Sequence, residues 1–357
     1  MKVHIVIGTR PQYVKLAALR DKLAQEFELT VIDTGQHYHR QLSLALLEDL
    51  KLPPPDINLK VGSGGHGEIT GRILIGLEKL WIKSRPDLVV VVGDTNSCLG
   101  GALAAAKIGI PVAHVEAGLR SFEKNLPEEI NRVLTDHISE LLFITETSAK
   151  KNLLREGIRP DQIHFVGNIM IDTLFQHLVA AKKRRPWQRF MLAPGEYGIV
   201  TLHRPENVDA ADKLTSLIGS IYQVAGSLPL IFPVHPRTKA NLQKIASKWP
   251  EMKIIDPFGY LDFIGLLARA KLVLTDSGGI QEESSVLGIP CVTLRRRTER
   301  PVTVEKGTNI LAGTTDRGIA GAVTQALGQP RSTRPIPRWD GRAADRIVKI
   351  LVKWSKV

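Results

Sequence analysis

The sequence predicts an α/β protein with two doubly wound domains. Short apolar runs alternate with amphipathic helical stretches along the chain, an order typical of parallel sheets joined by helices. The run Leu88–Val92 is apolar at every position, as expected for a strand that helices cover on both faces. A chain of 357 residues is too long for one ordinary core and long enough for two.

The first half is expected to form one sheet and its helices. Strands are predicted at Val3–Ile7, Leu29–Asp33, Leu88–Val92, Val112–Val115, Leu142–Thr145 and Ile163–Val166, with a weak strand at Ile57–Lys60. Helices are predicted at Gln12–Glu26, Gln41–Leu50, Glu68–Lys83, Ser97–Ile108, Glu128–His137 and Ser148–Glu156.

The second half repeats this scheme. Strands are predicted at Gly198–Leu202, Leu230–Val234, Lys253–Ile255, Leu272–Thr275 and Cys291–Leu294. Helices are predicted at Ala210–Ala225, Thr238–Trp249, Phe263–Ala270, Gln281–Leu287, Arg317–Leu327 and Gly341–Trp354. A polar, basic segment, Lys182–Gly195, is expected to act as a hinge. The expected domains are residues 1–168, residues 169–337, and a terminal helix within 338–357 that packs back on the first domain.

Composition and charge narrow the class of protein. Hydrophobic residues make up 43% of the chain, yet no apolar run approaches the roughly 20 residues that span a bilayer. Met1–Ile7 is interpreted as a strand rather than a signal peptide. Cys98 and Cys291 are interpreted as reduced thiols of a cytosolic protein rather than a disulfide. The net charge of +12 comes without a nucleic-acid-binding motif, so we attribute it to solubility and attraction of an anionic substrate.

Residues that follow strands carry the functional prediction, because ligands of open parallel sheets bind there. The segment Gly8–Gln12 offers a tight turn, a helix N-terminus and the forked donors of Arg10, all of which suit phosphate. Lys15 adds charge one turn later. A plain turn with surface charges is the alternative interpretation.

Carboxylates follow other strands of the first half. Glu116 directly follows an apolar strand, where desolvation raises a carboxyl pKa and prepares a general acid or base. Asp94 and Glu128 are further candidates. Alternatively, Asp94 caps the next helix, and Pro127 with Glu128 marks an ordinary helix start.

The strongest single signal in the second half is the segment Thr275–Glu283. Ser277, Gly278 and Gly279 lie at a strand-to-helix turn, where backbone amides without bulky side chains suit a diphosphate. Glu283, one turn into the helix, is expected to reach ribose hydroxyls.

Two other motifs are interpreted as loops rather than as binding sites. Gly62–Gly67 satisfies the glycine pattern of a dinucleotide site, but it follows only a weak strand and is interpreted as a surface loop. His37-Tyr38-His39 has no evident third metal ligand and is likewise interpreted as a loop. No metal or nicotinamide cofactor is therefore expected.

Taken together, the strand-end segments resemble the non-hydrolysing UDP-N-acetylglucosamine 2-epimerase family, in order and over nearly the whole chain. The matching segments are Gly8–Pro11, Thr34–His37, Gly93–Thr95, His114–Arg120, Pro127–Arg132, His203-Arg204, His235-Pro236, Asp276–Glu283 and Thr298–Pro301. The resemblance implies two Rossmann-like halves of the GT-B kind, with the active site in the cleft between them. It also implies a UDP-sugar substrate, a cytoplasmic homodimer, and inversion at sugar C2 through loss and re-addition of UDP.

The resemblance also implies roles for individual residues. Acid/base candidates are Asp94, Glu116, Glu128 and His203, without an assignment of base and acid. The substrate-binding candidates are Arg10, Lys15, Arg132 and Arg300 for diphosphate and sugar, His235, Ser277, Gly278 and Gly279 for phosphate, Glu283 for ribose, and Phe263 for uracil.

Several departures and rival functions stay open. Val302 replaces a family glutamate, and Arg296 and Arg297 replace acidic or amide residues. Gly93–Ser97 and Pro236–Thr238 resemble the branch that acts on UDP-2,3-diacetamido-2,3-dideoxy-glucuronic acid, which is therefore an alternative substrate. A GT-B glycosyltransferase, a hydrolysing epimerase and a silent nucleotide-binding protein are the rivals.

Regulation by substrate is not expected. Substrate-regulated bacterial members carry a second glutamine shortly after the Gln-His pair and an arginine in the following loop, where this chain has His39 and a glycine run. A sigmoidal rate curve that UDP-N-acetylglucosamine makes hyperbolic would contradict this expectation.

Overall fold

The computed structural model describes residues 1–36, 40–234, 242, 248–328 and 335–356. These residues form two compact units, one made of Met1–Gln176 with Pro337–Val357 and the other of His177–Ile336. Each unit contains one parallel sheet with helices, which confirms the predicted doubly wound α/β class.

Unit 1 is built on a seven-stranded sheet in the order β3-β2-β1-β4-β5-β6-β7, in which every neighbouring pair is parallel. The strands are β1 Lys2–Ile7, β2 Glu28–Asp33, β3 Ile57–Asn58, β4 Leu88–Val92, β5 Val112–Ala117, β6 Leu141–Ile144 and β7 Ile163–Phe165. The helices are α1 Arg10–Glu26, α2 Arg40–Leu50, α3 His66–Lys83, α4 Asn96–Lys107, α5 Pro127–His137, α6 Thr147–Arg155 and α7 Ile169–Arg184, the last of which continues into unit 2.

Unit 2 is built on a six-stranded parallel sheet in the order β10-β9-β8-β11-β12-β13. The strands are β8 Gly198–Thr201, β9 Leu230–Pro233, β10 Met252–Ile255, β11 Leu272–Thr275, β12 Cys291–Thr293 and β13 Asn309–Leu311. The helices among the described residues are α8 Pro205–Val208, α9 Ala211–Ala225, α10 Tyr260–Leu267, α11 Gly278–Leu287, α12 Pro301–Glu305 and α13 Asp316–Gly328. A final helix, α14 Ala343–Trp354, belongs to unit 1.

The centre of unit 1 explains its apolar strand. Every residue of β4 is at most 1% exposed, and Trp81 of α3 packs into the same core. The indole Nε1 of Trp81 donates a hydrogen bond to Nδ1 of His4 in β1 at 2.9 Å. Burial lowers the pKa of His4, so the neutral ring is available as the acceptor. The buried central strands therefore fix the positions of the residues that follow their carboxyl ends.

Several elements were not predicted, among them helices α7, α8 and α12 and strand β13. Helix α7 runs through the basic residues that were expected to begin a hinge, and Pro186–Phe190 then forms a 3₁₀ helix. Strand β13 has only three residues, too few for an alternating pattern. Most of the predicted helix Thr238–Trp249 lies outside the described residues.

Helix α14 is held within unit 1. Asp172 of α7 is buried, and its carboxylate accepts hydrogen bonds from the backbone N–H groups of Ala343 (3.1 Å) and Ala344 (2.8 Å). Lys22 of α1 pairs with Asp345. None of the described helices is long and apolar enough to cross a membrane.

Candidate functional site

Each sheet has one point at which the strand order reverses, between β1 and β4 in unit 1 and between β8 and β11 in unit 2. Ligands bind beyond the carboxyl ends of the strands at such points. We describe the two groups of strand-end residues separately. The unit 1 site comprises Arg10, Lys15, Asp94, Glu116, Glu128 and Arg132. The unit 2 site comprises His203, Phe263, Asp276, Ser277, Gly278, Gly279, Glu283 and Arg300.

The side chain of Gln12 organises the turn after β1. Its Oε1 accepts hydrogen bonds from the backbone N–H groups of Gly8 (2.9 Å) and Thr9 (3.1 Å), and its Nε2 donates to the Val92 carbonyl at 2.8 Å. These amides are therefore occupied, and the predicted anion affinity of the turn rests on Arg10. Arg10 is half-buried, burial lowers its pKa, and it has no hydrogen-bond or ion-pair partner among the described residues.

Lys15 and Glu116 form a buried ion pair that joins α1 to the end of β5. Their side chains are 8% and 4% exposed. Gly93 makes room for the ammonium, because a Cβ at this position would lie 3.0 Å from Lys15 Nζ. Its φ of +77° is also a conformation that glycine adopts readily. An ammonium and a carboxylate thus lie together at the strand end.

Glu116 has an unusual backbone. Its φ is +75°, and the register between β5 and β6 shifts between Val115 and Ala117. A non-glycine residue in this region costs about 1 to 3 kcal/mol, and bulges turn a side chain in a new direction. The surrounding fold therefore fixes the direction of the Glu116 carboxylate.

Asp94 pairs with Arg132 of α5. Arg132 Nε and Nη2 each lie 3.1 Å from Asp94 Oδ2, and Arg132 also pairs with Glu129. Asp94 is 26% exposed, whereas Arg132 is buried. The alternative role of Asp94 as a helix cap is not observed, because Thr95 is the N-cap of α4. Asp94 therefore presents a carboxylate that a buried cation holds in place.

The two glutamates in the first turn of α5 have different environments. Glu129 is buried and accepts hydrogen bonds from Ser121 N (3.0 Å), Ser121 Oγ (3.1 Å) and Phe122 N (2.8 Å). Glu128 is half-buried, and its side chain makes no hydrogen bond or ion pair with any other described residue. Glu128, the predicted candidate, is thus the carboxylate that the local fold does not engage.

Asp276 organises the unit 2 site, although sequence reasoning did not select it. Its buried carboxylate accepts hydrogen bonds from the backbone N–H groups of His203 (3.1 Å) and Arg204 (3.0 Å) and from Asn207 Nδ2 at 3.0 Å. Burial opposes ionisation, but the hydrogen bonds from His203 and Asn207 outweigh it and lower the pKa of Asp276. His203 Nδ1 lies 3.0 Å from the same carboxylate, and 59% of the His203 side chain is exposed.

The predicted diphosphate turn begins α11. Ser277 is its N-cap, and the Ser277 N–H donates to Thr275 Oγ1 at 3.0 Å. This amide is therefore used within the turn, and Gly278 and Gly279 supply the first-turn amides, which have no partner within the helix. A Cβ on Gly278 would lie 2.5 Å from Arg300 Nη1, so only glycine allows this close approach.

Arg300 lies beneath this turn and is already paired. Its Nε lies 2.5 Å from Glu282 Oε1 and its Nη1 lies 2.7 Å from Glu299 Oε1. Glu299 also accepts a hydrogen bond from Arg295 at 2.8 Å. The carboxylates of Glu282 and Glu299 therefore hold the Arg300 guanidinium close to Gly278.

Glu283 is buried in the same helix. Burial, together with the nearby charge of Glu282, raises the pKa of Glu283 to about 8, although a hydrogen bond from Tyr260 Oη at 3.4 Å opposes the shift. Tyr260 begins α10, which also carries the half-buried Phe263. The candidate ribose and uracil residues therefore lie on two helices linked by one hydrogen bond.

Some predicted residues and motifs fall elsewhere. His235, His37 and His39 lie outside the described residues. The glycine-rich segment before α3 is largely exposed, and Nδ1 of His66 at its end lies 3.2 Å from Asn96 Nδ2 at the start of α4. Within the described ranges, no group of three or more His, Cys, Asp or Glu side chains is arranged to hold a metal ion.

Comparison with known sequences places this geometry in a family. The family profile described as UDP-N-acetylglucosamine 2-epimerase matches residues 21–352. The chain belongs to the UDP-N-acetylglucosamine 2-epimerase family.

Similar proteins in this family cover the whole chain. The UDP-N-acetylglucosamine 2-epimerase of Methanocaldococcus jannaschii is 46% identical over 363 residues, covering 98% of this chain and 99% of the relative. The UDP-2,3-diacetamido-2,3-dideoxy-D-glucuronate 2-epimerase of Pseudomonas aeruginosa is 38% identical over 358 residues, covering 99% of this chain and 100% of the relative. The Escherichia coli UDP-N-acetylglucosamine 2-epimerase is 36% identical, covering 98% of each.

Solved structures of the 2-epimerase family share the fold. The M. jannaschii enzyme in complex with UDP-GlcNAc and UDP has a TM-score of 0.92 at 46% identity, covering 99% of this chain and 100% of that one. The Neisseria meningitidis enzyme bound to UDP-GlcNAc has a TM-score of 0.90 at 33% identity, with the same coverage. A glycosyltransferase of kitacinnamycin, at 12% identity and a TM-score of 0.59, shares the fold alone. The expected GT-B fold class is therefore confirmed.

Proposed function

We propose that this protein interconverts UDP-N-acetylglucosamine and UDP-N-acetylmannosamine. The observation that carries the proposal is the pair of carboxylates after adjacent strands, Asp94 after β4 and Glu116 at the end of β5, each paired with a buried cation. Membership of the 2-epimerase family supports it.

The reaction needs two proton transfers and one leaving group. A base removes the proton from sugar C2, the electron pair forms the C1=C2 double bond, and the C1–O bond breaks to release UDP and 2-acetamidoglucal. UDP then adds back at C1 while an acid delivers a proton to the other face of C2. Such groups must lie within hydrogen-bond reach of C2 on opposite faces. Asp94, Glu116, Glu128 and His203 fill these roles.

The binding residues follow from the same proposal. The diphosphate gains negative charge as it leaves, and fixed cations and amides stabilise it. Lys15 and Arg132 bring this charge next to the carboxylates, because each is paired with one of them. The remaining binding residues are Arg10, His235, Ser277, Gly278, Gly279 and Arg300 for the diphosphate, Glu283 for ribose and Phe263 for uracil.

A second candidate substrate is UDP-2,3-diacetamido-2,3-dideoxy-glucuronic acid. Arg296 and Arg297 are exposed, and the extra carboxylate of this sugar suits added cations. The relative of that name is 38% identical, against 46% for the N-acetylglucosamine relative, so we favour N-acetylglucosamine.

The proposal also covers the oligomeric state, the cellular location and the metabolic role of the protein. The protein acts in the cytoplasm as a homodimer and supplies an activated sugar for polysaccharide synthesis, as the family resemblance implies. Size-exclusion chromatography with light scattering tests the dimer, and a monomer under assay conditions would overturn it.

The first experiment is proton NMR of the purified protein with UDP-N-acetylglucosamine in heavy water. We expect the anomeric signal of UDP-N-acetylmannosamine to appear, with deuterium entering at C2. Net release of UDP and free N-acetylmannosamine would instead identify a hydrolysing epimerase. No exchange with either UDP-sugar, together with transfer of labelled sugar to an acceptor, would identify a glycosyltransferase.

A further inference from the structure

A buried charge network lies beneath the carboxyl ends of β4 and β5, and none of the roles above uses it. Its centre is Asp136, a fully buried residue near the end of α5. Asp136 Oδ1 lies 2.7 Å from His114 Nδ1, and its Oδ2 lies 2.7 Å from Arg120 Nη2. Arg120 also forms two hydrogen bonds with Glu156, at 2.8 and 2.6 Å.

The network reaches the backbone beside Asp94. His114 is completely buried, and its Nε2 donates a hydrogen bond of 2.7 Å to the carbonyl of Gly93, the residue before Asp94. Because a carbonyl oxygen is only an acceptor, His114 must carry a proton on Nε2. The turn after β4 is thereby tied to the neighbouring strand.

The network also brackets Glu116. The N–H of Gly118, two residues after Glu116, donates to Asp136 Oδ2 at 3.1 Å. His114, two residues before Glu116, donates to the other oxygen of the same carboxylate. One carboxylate therefore holds the chain on both sides of the bulge that directs Glu116.

The charges of the network favour this arrangement. Burial lowers the pKa of His114, but Cys98 and the hydrogen bond to Asp136 outweigh it and raise the pKa well above its usual value. Burial likewise disfavours the ionised form of Asp136, yet His114 and Arg120 lower its pKa. The pair is thus an imidazolium bound to a carboxylate, with both imidazole N–H groups used.

The backbone that the network holds is strained at Glu116, a non-glycine residue with a φ of +75°. Gly118, two residues later, has a φ of +78°, which glycine adopts readily. A Cβ on Gly118 would lie 2.7 Å from the carbonyl oxygen of Ala149, so this segment is also tightly packed. Strained backbone persists only where surrounding contacts determine it, and the hydrogen bonds of Asp136 supply such contacts.

We propose that Asp136 is a positioning residue that, through His114 and Gly118, holds Asp94 and Glu116 in the geometry that proton transfer requires. The inference rests on the proposed function, because it takes these two carboxylates as the groups that transfer protons. A displacement of about 1 Å in such groups costs on the order of a hundredfold in rate.

Two substitutions separate geometry from charge. In Asp136→Asn the amide oxygen still accepts from Gly118 and Arg120, while its NH₂ donates to Nδ1 of a neutral His114, which still donates through Nε2 to Gly93. Asp136→Ala removes the contacts of residue 136 with Gly118, Arg120 and His114, so the His114 ring that reaches Gly93 is no longer held. We expect kcat to fall by about a hundredfold in Asp136→Ala but by less than about tenfold in Asp136→Asn. In both variants KM and the Kd of UDP should change by less than about threefold.

Asp172→Ala is the matched control. Asp172 is also buried in unit 1 and also accepts two backbone N–H groups, but these belong to α14. We expect this variant to lower Tm while kcat stays close to wild type. Equal kcat in Asp136→Ala and Asp172→Ala, or no rescue by asparagine, would overturn the proposal.

Hydrogen exchange tests the network without turnover. We expect Asp136→Ala, but not Asp172→Ala, to accelerate amide exchange in residues 92–98 and 112–120. Unchanged exchange in both segments would overturn the positioning role. A wild-type protein that does not incorporate deuterium at sugar C2 would overturn the proposed function, whereas the exchange result would still decide whether Asp136 holds the two turns.

Discussion

Glu283 is buried in the helix that begins at the glycine turn of unit 2, and burial together with Glu282 raises its pKa to about 8. At neutral pH this carboxyl therefore carries a proton in the free protein. Ribose hydroxyls donate hydrogen bonds, and an ionised carboxylate accepts them better than a protonated one. If Glu283 binds ribose, ligand binding must release its proton.

We predict that UDP affinity rises with pH up to the pKa of Glu283. Because binding favours the ionised form, the Kd of UDP should fall by up to about tenfold per unit between about pH 7 and 8 and level off above it. Isothermal titration calorimetry in buffers of different ionisation enthalpy would measure both the affinity and the released proton.

Glu283→Gln supplies the control for this prediction. The variant has no titrating carboxyl at residue 283, so its affinity for UDP should depend little on pH apart from the titration of UDP itself. The pKa of Glu283 in the folded protein exceeds that of a free carboxyl, so the protonated form stabilises the wild-type fold at low pH. This stabilisation is lost as the pH rises through about 8. Parallel affinity curves for the two proteins would exclude Glu283 from the ribose site.

Sequence reasoning proposed the candidate site residues but did not predict their partners. Lys15 and Glu116 were chosen for separate roles, yet they pair with each other, because Lys15 lies on the helix that follows β1 and only β4 separates β1 from β5 in the sheet. Gln12 and Asp136 were not selected at all. Gln12 bonds mainly to backbone groups, whereas Asp136 bonds to the side chains of His114 and Arg120 and to the Gly118 N–H, and no spacing in the sequence indicates such bonds.

At the scale of elements, the turn after β4 shows how one glycine controls a site. Gly93 receives a hydrogen bond from His114 on its carbonyl and leaves room for the Lys15 ammonium. Its positive φ adds a backbone requirement to the steric one. The turn therefore serves both the buried network and the Lys15–Glu116 pair.

We predict that Gly93→Ala loses about a hundredfold in kcat, because the new methyl group displaces the Lys15 ammonium from Glu116. The added strain at positive φ should lower the free energy of unfolding by about 1 to 2 kcal/mol. Chemical denaturation and the NMR assay measure the two effects separately.

Gly157→Ala is the matched control, because Gly157 has a φ of +85° and, apart from its chain neighbours, no described residue has an atom within 4 Å of its Cβ position. It should lose similar stability but keep its activity. Equal kcat in the two alanine variants would mean that contact between residue 93 and the Lys15 ammonium does not determine the activity.

The strands and helices differ in how clearly the sequence pattern indicates them. Leu88–Val92 was predicted with its observed bounds, because a strand buried on both faces is uniformly apolar. Helix α7 was missed because its last turn, Lys182–Arg184, has the composition of a polar linker. Strand β13 exists because it pairs with β12, which is a tertiary contact rather than a local pattern.

At the scale of the whole molecule, the chain carries a net charge of +12, and its proposed substrate carries a diphosphate. A positive field concentrates an anionic substrate near the protein, and salt screens that field over about 8 to 10 Å at physiological ionic strength. This field affects how the substrate approaches the protein and does not affect the proton-transfer step.

We predict that raising NaCl from about 20 mM to about 300 mM lowers kcat/KM by roughly three- to tenfold through KM, with kcat nearly unchanged. Steady-state kinetics at constant pH would measure this. A KM that does not respond to salt would mean that local contacts such as Arg10, rather than the overall charge, determine substrate capture.

The return of Pro337–Val357 to unit 1 has a consequence for synthesis of the protein. The ribosome makes all of His177–Ile336 before it makes α14, so unit 2 has its complete sequence while unit 1 still lacks a helix. Domains fold as units when their residues become available. Unit 1 is therefore completed after unit 2, and nascent unit 1 leaves the face of α1 that receives α14 uncovered until α14 has been made.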